Sequence, residues 1–396
     1  MSGAAERPRA GARALDLLNF FMANAQTGFG PFIAVYLTAS KWTQAHIGLA
    51  LSLGTIAAVV SQIPAGVLVD AMSSKRTAIG FGVLGVMTAA LLLALWPHEL
   101  PVLLAQALHA VASCVMTPAI AAISLQLAGR AALGERLGRN ARYASIGNGI
   151  AAAIMGATGS YLSSQTVFWL TAALCVPALM ALMGIGPGRH ARELPVSQGF
   201  DRTALRTLLL DRRLQVFAGC VLLFHLSDAA MLPLAASAAT MRAGSEANLI
   251  IAACIMVPQA VVALCSPAVG RLATQWGRRP VLLLGWAALP LRGLLLAVLP
   301  GPYLLVGVQA VSGVSAAVFG VMLPLLAADL TRGRPHFNLC LGVLGLAVSL
   351  GATLSTAMAG WVADAMGLGT AFLCLAAAGA AGWWLLWVAM PETNAG

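Results

Sequence analysis

Two short basic stretches decide the fold, because each follows a long apolar run and the second repeats the first. They read GVLVDAMSSKR (Gly66–Arg76) and GRLATQWGRR (Gly270–Arg279), and their first residues are 204 positions apart. Two more pairs repeat in the same order: Gln106-Ala107 with Gln309-Ala310, and Gly147 followed by Gly156-Ala157-Thr158 with Gly342 followed by Gly351-Ala352-Thr353. This order predicts two similar halves in one chain.

The rest of the chain consists mainly of long apolar segments. It is 60% hydrophobic and 9% charged, whereas about one quarter of the residues of an ordinary soluble domain are charged, so a soluble core is excluded. A bilayer core of ~30 Å needs ~20 apolar residues per helix, and the segments are apolar on every face, which excludes a porin-like barrel. We expect twelve membrane spans: 14–37, 46–69, 77–96, 101–127, 143–162, 166–186, 214–238, 247–270, 281–299, 303–328, 338–362 and 369–390.

The basic residues fall on one side of the predicted membrane. Of the 23 Lys and Arg residues, all except Lys41, Arg242 and Arg292 lie at the termini or in alternate connections. By the positive-inside rule, both termini are cytoplasmic, which predicts a multi-pass protein of the inner (cytoplasmic) membrane. The net charge of +10 therefore results from the basic residues that orient the chain in the membrane. We expect the chain to interact with the lipid bilayer and not with nucleic acid.

The longest polar connection separates the two predicted halves. Residues 187–213 are rich in charges and contain Pro195 and Gly199, a composition typical of a linker. We expect an N-terminal six-helix bundle over 1–186, a cytoplasmic linker over 187–213 and a C-terminal six-helix bundle over 214–396. Because each half has six spans, both halves keep one orientation, with a pseudo-two-fold axis along the membrane normal.

The two basic stretches resemble the signature loop of the major facilitator superfamily, Gly-x-Leu-x-Asp-x-x-Gly-Arg-Lys/Arg. The matching residues are Gly66, Leu68, Asp70, Lys75 and Arg76 in the first copy, and Gly270, Leu272, Gly277, Arg278 and Arg279 in the second. Ser73 and Ser74 depart from the pattern, and Thr274 stands at the Asp position. The resemblance implies an all-α membrane fold of twelve helices in two bundles, and transport by alternating access around a central cavity. It does not specify the substrate.

The resemblance also implies that both loops are gating elements. The gating residues would be Gly66, Asp70, Lys75, Arg76, Gly270, Arg278 and Arg279. In the superfamily the loop aspartate, here Asp70, engages the neighbouring half at the cytoplasmic gate, and the N-terminus of the eleventh span, near Asn338, attracts such a carboxylate. The alternative is that these residues only anchor helix ends and set the topology.

The clear cases of ionisable residues deep inside the predicted spans are His109, His225, Asp228 and Arg292. Each costs about 2.5 to 3.5 kcal/mol at the bilayer centre and therefore needs a reason. Asp228 and His225, on one face of the seventh span, predict a proton-coupling site with Arg292 or the substrate as the alternating partner of Asp228. The alternative is a static pair of Asp228 and Arg292 that holds two helices together.

Polar residues in the first, fourth and tenth spans are the candidate substrate contacts, because the resemblance implies that these helices line the cavity. They are Asn24, Gln26, Thr27, Gln106, His109 and Gln309. Hydrogen bonding between helices is an equally good explanation for any one of them.

These features predict a secondary active transporter that moves a small organic solute and is coupled to protons. The low acidic content and the apolar walls favour efflux of amphipathic compounds. Uptake or export of a polar metabolite or siderophore-like chelate is an alternative, and so is a non-transporting membrane sensor. The chain has no Gly-x-x-x-x-Gly-Lys-Ser/Thr motif, metal-ligand spacing or paired catalytic groups, so we expect no cofactor, no metal and no enzymatic activity. We expect a monomer.

Overall fold

The structure is a computed structural model, and it describes residues 3–29, 31–186, 202–235, 247–298 and 301–393. The regular elements in these ranges are helices: α1 (Gly3–Thr27), α2 (Pro31–Ala39), α3 (Gln44–Ala71), α4 (Lys75–Leu95), α5 (Glu99–Tyr161), α6 (Thr166–Met183), α7 (Arg202–Leu209), α8 (Arg212–Asp228), α9 (Ala247–Gln275), α10 (Arg278–Val298), α11 (Pro302–Leu330), α12 (Phe337–Met366) and α13 (Leu368–Ala389). Residues 231–235 are also helical. Part of the predicted linker, residues 187–201, lies outside the described residues, and the rest carries α7.

Two compact units make up the chain. Unit 1 contains Met1–Asp201 and Gly333–Gly342, and unit 2 contains Arg202–Arg332 and Val343–Gly396. The first turn of α12 therefore belongs to unit 1, although the rest of that helix belongs to unit 2.

Ten helices in the described ranges are long and apolar enough to cross a membrane. The predicted span 214–238 is interrupted, because α8 ends at Asp228. The remaining predicted spans map onto the helices with two differences. One helix, α5, contains both the fourth and the fifth predicted spans, and Gly129 divides it into two arms with φ 69° and ψ 170°, a conformation that glycine adopts readily. The other difference concerns α1, which is not among the ten because polar residues, including Arg13, Asp16, Asn19 and Asn24, lie along its length.

The first predicted span, 14–37, is wrong as a continuous helix. In the structure α1 ends at Thr27 and α2 begins at Pro31. A Cβ at Gly28 would overlap the Thr171 hydroxyl on α6, and Pro31 has no backbone N–H with which to continue the helical ladder. A close helix contact and a proline thus coincide with the break.

The helices that carry the candidate site pack separately in each unit. In unit 1, α5 packs against α1, α3 and α4, and α6 packs against α1 and α4. In unit 2, α10 packs against α11 and α13, α9 against α11, and α8 against α13. The fully buried Trp286 on α10 donates its indole N–H to the Cys220 carbonyl on α8 (3.2 Å), which ties these two helices together.

Candidate functional site

The carboxylate of Asp70 lies at the N-terminus of α12. Its Oδ1 accepts hydrogen bonds from the backbone N–H of Asn338 (3.0 Å) and from Asn338 Nδ2 (2.7 Å), and its Oδ2 accepts one from the backbone N–H of Leu339 (2.8 Å). The first N–H groups of a helix have no partner within the helix, and the helix dipole favours an anion there. Asp70 is 4% exposed, so these bonds are shielded from water. A gating role for this contact stays a prediction.

The basic residues of the first loop bind helix C-termini. Lys75 Nζ donates to the carbonyls of Val69 (2.5 Å) and Met72 (2.8 Å) at the end of α3, where the helix dipole favours a cation. A weaker contact joins Arg76 Nη2 to the Met183 carbonyl at the end of α6 (3.3 Å). The loop is thus fixed within unit 1.

Two glycines bring α3 and the first turn of α12 together. A Cβ at Gly66 would overlap the Asn338 carbonyl, and a Cβ at Gly342 would lie 3.2 Å from Ile63 Cα. Small residues allow two helix backbones to approach closely. Gly66 therefore helps Asp70 to reach the end of α12.

The second loop is held by a different carboxylate. Glu392, which follows α13, accepts hydrogen bonds from the backbone N–H groups of Arg278 (2.8 Å) and Arg279 (3.0 Å) at the N-terminus of α10. Gly277 precedes them with φ +95°, and a Cβ on it would lie 2.6 Å from Glu392 Oε2. The glycine therefore makes room for the carboxylate.

The side chain of Arg278 repeats the contact that Lys75 makes in the first loop. Its Nη1 donates to the Ala273 carbonyl at the end of α9 (2.5 Å), and its Nε donates to Asp329 Oδ2 (3.0 Å) on α11. At the position of the loop aspartate, the Thr274 hydroxyl donates to the carbonyl of the buried Gly270 within α9 (3.3 Å). The second loop thus lacks the acidic contact that Asp70 makes.

The predicted substrate contacts on α1 lie in different surroundings. Asn24 is buried and its Nδ2 donates to the Phe20 carbonyl in its own helix (2.8 Å). The Thr27 hydroxyl donates to Asn148 Oδ1 on the second arm of α5 (3.0 Å). Gln26 is half-buried. Thr27 thus makes a hydrogen bond between helices, whereas that of Asn24 stays within α1, and substrate binding by either residue stays a prediction.

His109 and Gln106 lie in the first arm of α5. The His109 ring stacks on Phe29, which sits between α1 and α2, with ring centroids 3.9 Å apart and planes 6° apart. Its Nε2 lies 3.4 Å from Ser113 Oγ. Gln106 is 6% exposed, and its Nε2 would lie 3.5 Å from a Cβ placed on Gly54 of α3. The stack joins the break after α1 to α5.

Unit 2 brings three predicted residues together in one cluster. Arg292 Nη1 on α10 donates to Asp228 Oδ1 at the end of α8 (2.5 Å), and Arg292 Nη2 donates to Gln309 Oε1 on α11 (2.8 Å). The side chain of Asp228 is 31% exposed, that of Arg292 is 2% exposed, and Gln309 is fully buried. Only the carboxylate of this cluster therefore faces open space to any extent.

His225 was predicted to share a proton-coupling site with Asp228, but the two side chains are not in direct contact in the structure. Its Nδ1 lies 3.2 Å from the Val221 carbonyl in its own helix, and its ring packs edge-on against Phe319 (centroids 4.7 Å apart). In the described part of the chain, no hydrogen bond or ion pair joins His225 to Asp228. The helix breaks directly after Asp228, and the freed N–H of Ala230 donates to Ser355 Oγ on α12 (3.1 Å).

Sequence reasoning missed a buried network in unit 1. Asp16 on α1 accepts hydrogen bonds from Arg136 and Arg139 on α5. Arg136 Nε also donates to Asn140 Oδ1 (2.9 Å), and Asn140 Nδ2 donates to Ser124 Oγ (2.7 Å) across the interruption at Gly129. Two signals were available: the charge of Asp16 inside the predicted span 14–37, and the spacing of Arg136 and Asn140, four residues apart.

Comparison with known proteins identifies the family. A family model described as Major Facilitator Superfamily matches residues 15–257. The chain belongs to the major facilitator superfamily. Two relatives from Mycobacterium tuberculosis (strains CDC 1551 / Oshkosh and H37Rv), each described as an uncharacterized MFS-type transporter, are 37% identical over 392 residues, which cover 96% of this chain and 93% of theirs.

Solved structures of the superfamily share the fold. The human organic anion transporter matches with a TM-score of 0.78 and 14% identity over 96% of this chain and 99% of its own. The fucose:proton symporter of E. coli matches with a TM-score of 0.77 and 16% identity over 95% of this chain and 97% of its own. The predictions of the superfamily and of its all-α membrane fold are confirmed, and the protein is a membrane transporter.

Proposed function

We propose that the protein is a proton-coupled secondary active transporter of a small organic solute that works by alternating access. The observation that carries this proposal is the ion pair of Asp228 and Arg292, about 24 Å along α8 from its first residue. A carboxylate beside open space can bind and release a proton, whereas a guanidinium keeps its charge. Protonation of Asp228 weakens the pair and leaves Arg292 in need of another acceptor, which couples proton binding to rearrangement of unit 2.

The alternative for the same residues is a static pair that joins α8 to α10. In that case both charges would serve packing only, and neither would exchange partners during transport. The 31% exposure of Asp228 supports the coupling role, because a purely structural pair gains from being shielded on both sides.

Two solute classes have support from different observations. The apolar composition supports export of amphipathic compounds across the inner membrane, by a monomer with both termini in the cytoplasm. The polar cluster around Gln309 supports a polar solute instead. The similarity to a fucose:proton symporter and to an organic anion transporter supports a small organic solute in either case.

The test is solute-induced proton movement. The purified full chain is reconstituted in proteoliposomes that contain a pH-sensitive dye, and compounds are screened for proton flux of either sign. We expect Asp228→Asn to abolish the flux. The matched control, Asp364→Asn, removes an exposed carboxylate on α12 and should keep it. Wild-type flux in Asp228→Asn, or solute transport by the wild type without any proton movement, would contradict the proposal.

A further inference from the structure

The cluster of Asp228, Arg292 and Gln309 in unit 2 has fewer hydrogen-bond acceptors than donors. Arg292 and Gln309 together present several N–H donors, and in the part of the chain that the structure describes Arg292 Nε and Gln309 Nε2 are buried without a hydrogen-bond partner. Asp228 supplies the only negative charge that pairs with Arg292 there, through Oδ1 alone. The cluster is neutral overall, with one cation and one carboxylate, but it has a surplus of N–H donors. A solute carboxylate, which only accepts hydrogen bonds, is a group that such a site favours.

The burial of Arg292 decides which solute charge can compete for the ion pair. Its side chain is 2% exposed and cannot lose its proton. A cationic solute that displaced Arg292 from Asp228 would leave Arg292 with only the Gln309 carbonyl. Leaving a buried charge without its counter-charge is strongly unfavourable. The geometry thus disfavours amines as solutes.

We infer that the solute is an organic monoanion whose carboxylate replaces Asp228 on Arg292 when Asp228 takes up a proton. This inference rests on the proposed proton coupling and names the solute class for the same site. The charges balance: Asp228 gains one proton and becomes neutral, one solute carboxylate arrives, and Arg292 stays paired throughout. One proton therefore moves with one monoanion, and the exchange is electroneutral.

The exposure of Asp228 gives a solute carboxylate a way to reach Arg292. Asp228 is the partly exposed member of the pair. When its side chain is neutral and rotates away, Arg292 Nη1 becomes accessible from the side on which Asp228 is exposed. The break in the helix directly after Asp228, supported by the hydrogen bond from Ala230 to Ser355 Oγ, gives the side chain a position at a helix end. Discontinuous helices are common at transporter binding sites.

Few other groups near the pair can titrate in the described residues. On α8 the neighbour is His225, and on α9 it is Cys254, which is close enough to Arg292 for their charges to interact. The contacts from α11 and α12 come from Gln309 and Ser355, which do not titrate, and α13 carries no charged residue. Of these groups Asp228 is the one that pairs directly with Arg292, so a proton taken up with the solute is assigned to Asp228.

Chemical rescue tests the anion site without knowledge of the natural solute. Asp228→Ala leaves a space beside Arg292, and we expect a lower midpoint of thermal unfolding for the full chain in lipid nanodiscs. Sodium acetate should restore at least half of this loss, whereas acetamide, which has the same shape and no charge, should not. Asp228→Ala/Arg292→Gln should show no acetate effect. An equal response to acetate and acetamide, or an acetate effect that persists in the double variant, would overturn the inference.

Calorimetry with matched compounds tests the exchange and covers the case in which Asp228→Ala does not fold. Benzoate and hexanoate are compared with benzamide, hexanamide, benzylamine and hexylamine in buffers of different ionisation enthalpy. For the wild type we expect binding of the acids with uptake of about one proton, and an affinity that changes about tenfold per pH unit. Asp228→Asn should bind the acids without proton uptake, and Arg292→Gln should lose acid binding.

The outcomes separate this inference from the proposed function. If amides or amines drive proton flux through the wild type and the acids do not, the solute class is wrong while proton coupling stands. If the acids bind in a manner that depends on Arg292 but no proton is taken up, the anion site is supported and proton coupling is wrong.

Discussion

Replacing Asp70 by asparagine should release the first turn of α12 from the end of α3. The carboxylate accepts three hydrogen bonds, at 2.7 to 3.0 Å, from Asn338 and Leu339. Asparagine keeps one acceptor oxygen, but it loses the negative charge and sets an NH2 group against a backbone N–H. A hydrogen bond to a charged group contributes about 1.5 to 3 kcal/mol, so we expect a loss of about 2 to 3 kcal/mol. This corresponds to a ~30- to 150-fold larger population of the released state.

The native Cys340 reports this release. It lies in the first turn of α12 and is 0% exposed, so its reaction with N-ethylmaleimide requires the turn to move. Labelling in membranes is followed by mass spectrometry of the Cys340 peptide, with Cys175 on α6, also 0% exposed, as an internal measure of general unfolding. We expect the Asp70→Asn variant to label Cys340 ~30- to 150-fold faster than the wild type, and Cys175 at an unchanged rate.

Two results would refute this reasoning about the Asp70 contact. A labelling rate at Cys340 within about twofold of the wild type would mean that the carboxylate does not hold the turn. An equal increase at Cys175 would mean that the substitution unfolds unit 1 as a whole. Asp364→Asn serves as the control for the change from carboxylate to amide at an exposed position.

Three further predictions concern stability. Asp16→Asn leaves the buried Arg136 without its anion and should lower the unfolding free energy by about 3 to 5 kcal/mol, seen as a lower thermal midpoint; a change below about 1 kcal/mol would contradict the network. Gly342→Ala should cost about 1 to 3 kcal/mol by the same measurement because its Cβ meets the α3 backbone, whereas Gly48→Ala, with nothing within 4 Å, should cost far less. Glu392→Gln should weaken the cap on α10 by about 1 kcal/mol and speed hydrogen exchange at the Arg278 amide, and unchanged exchange would refute the cap.

Much of the fold followed from local pattern, and the exceptions have local physical causes. The apolar runs predicted the membrane helices because a helix in lipid satisfies its backbone hydrogen bonds within its own segment. The division of the first span after Thr27 could not be read in the same way, because it coincides with a contact between Gly28 and Thr171, 143 positions away. Pro31 was visible in the sequence, but a proline in a membrane helix does not always end it.

The candidate site, like the fold, was predicted from the sequence only in part. The sequence singled out Asp228 and Arg292 because charges inside apolar segments are costly and need partners, and it singled out Asp70 by the resemblance of its loop. It left open whether Asp228 and Arg292 form a pair, and it gave no reason to join Asp16 to Arg136, which lies 120 positions away. Such partners depend on how far each helix is rotated about its own axis, and that rotation is set by packing.

By itself, then, the sequence determined an all-α membrane transporter of the major facilitator superfamily, because hydropathy, the distribution of basic residues and a repeated loop are local properties of the chain. The resemblance had already pointed Asp70 to the N-terminus of α12. Only the tertiary structure decided that Glu392 caps α10 and that the more exposed member of the pair with Arg292 is the carboxylate of Asp228. Each of these facts concerns two groups that are distant in the sequence, and hydropathy does not specify which surfaces of two segments meet.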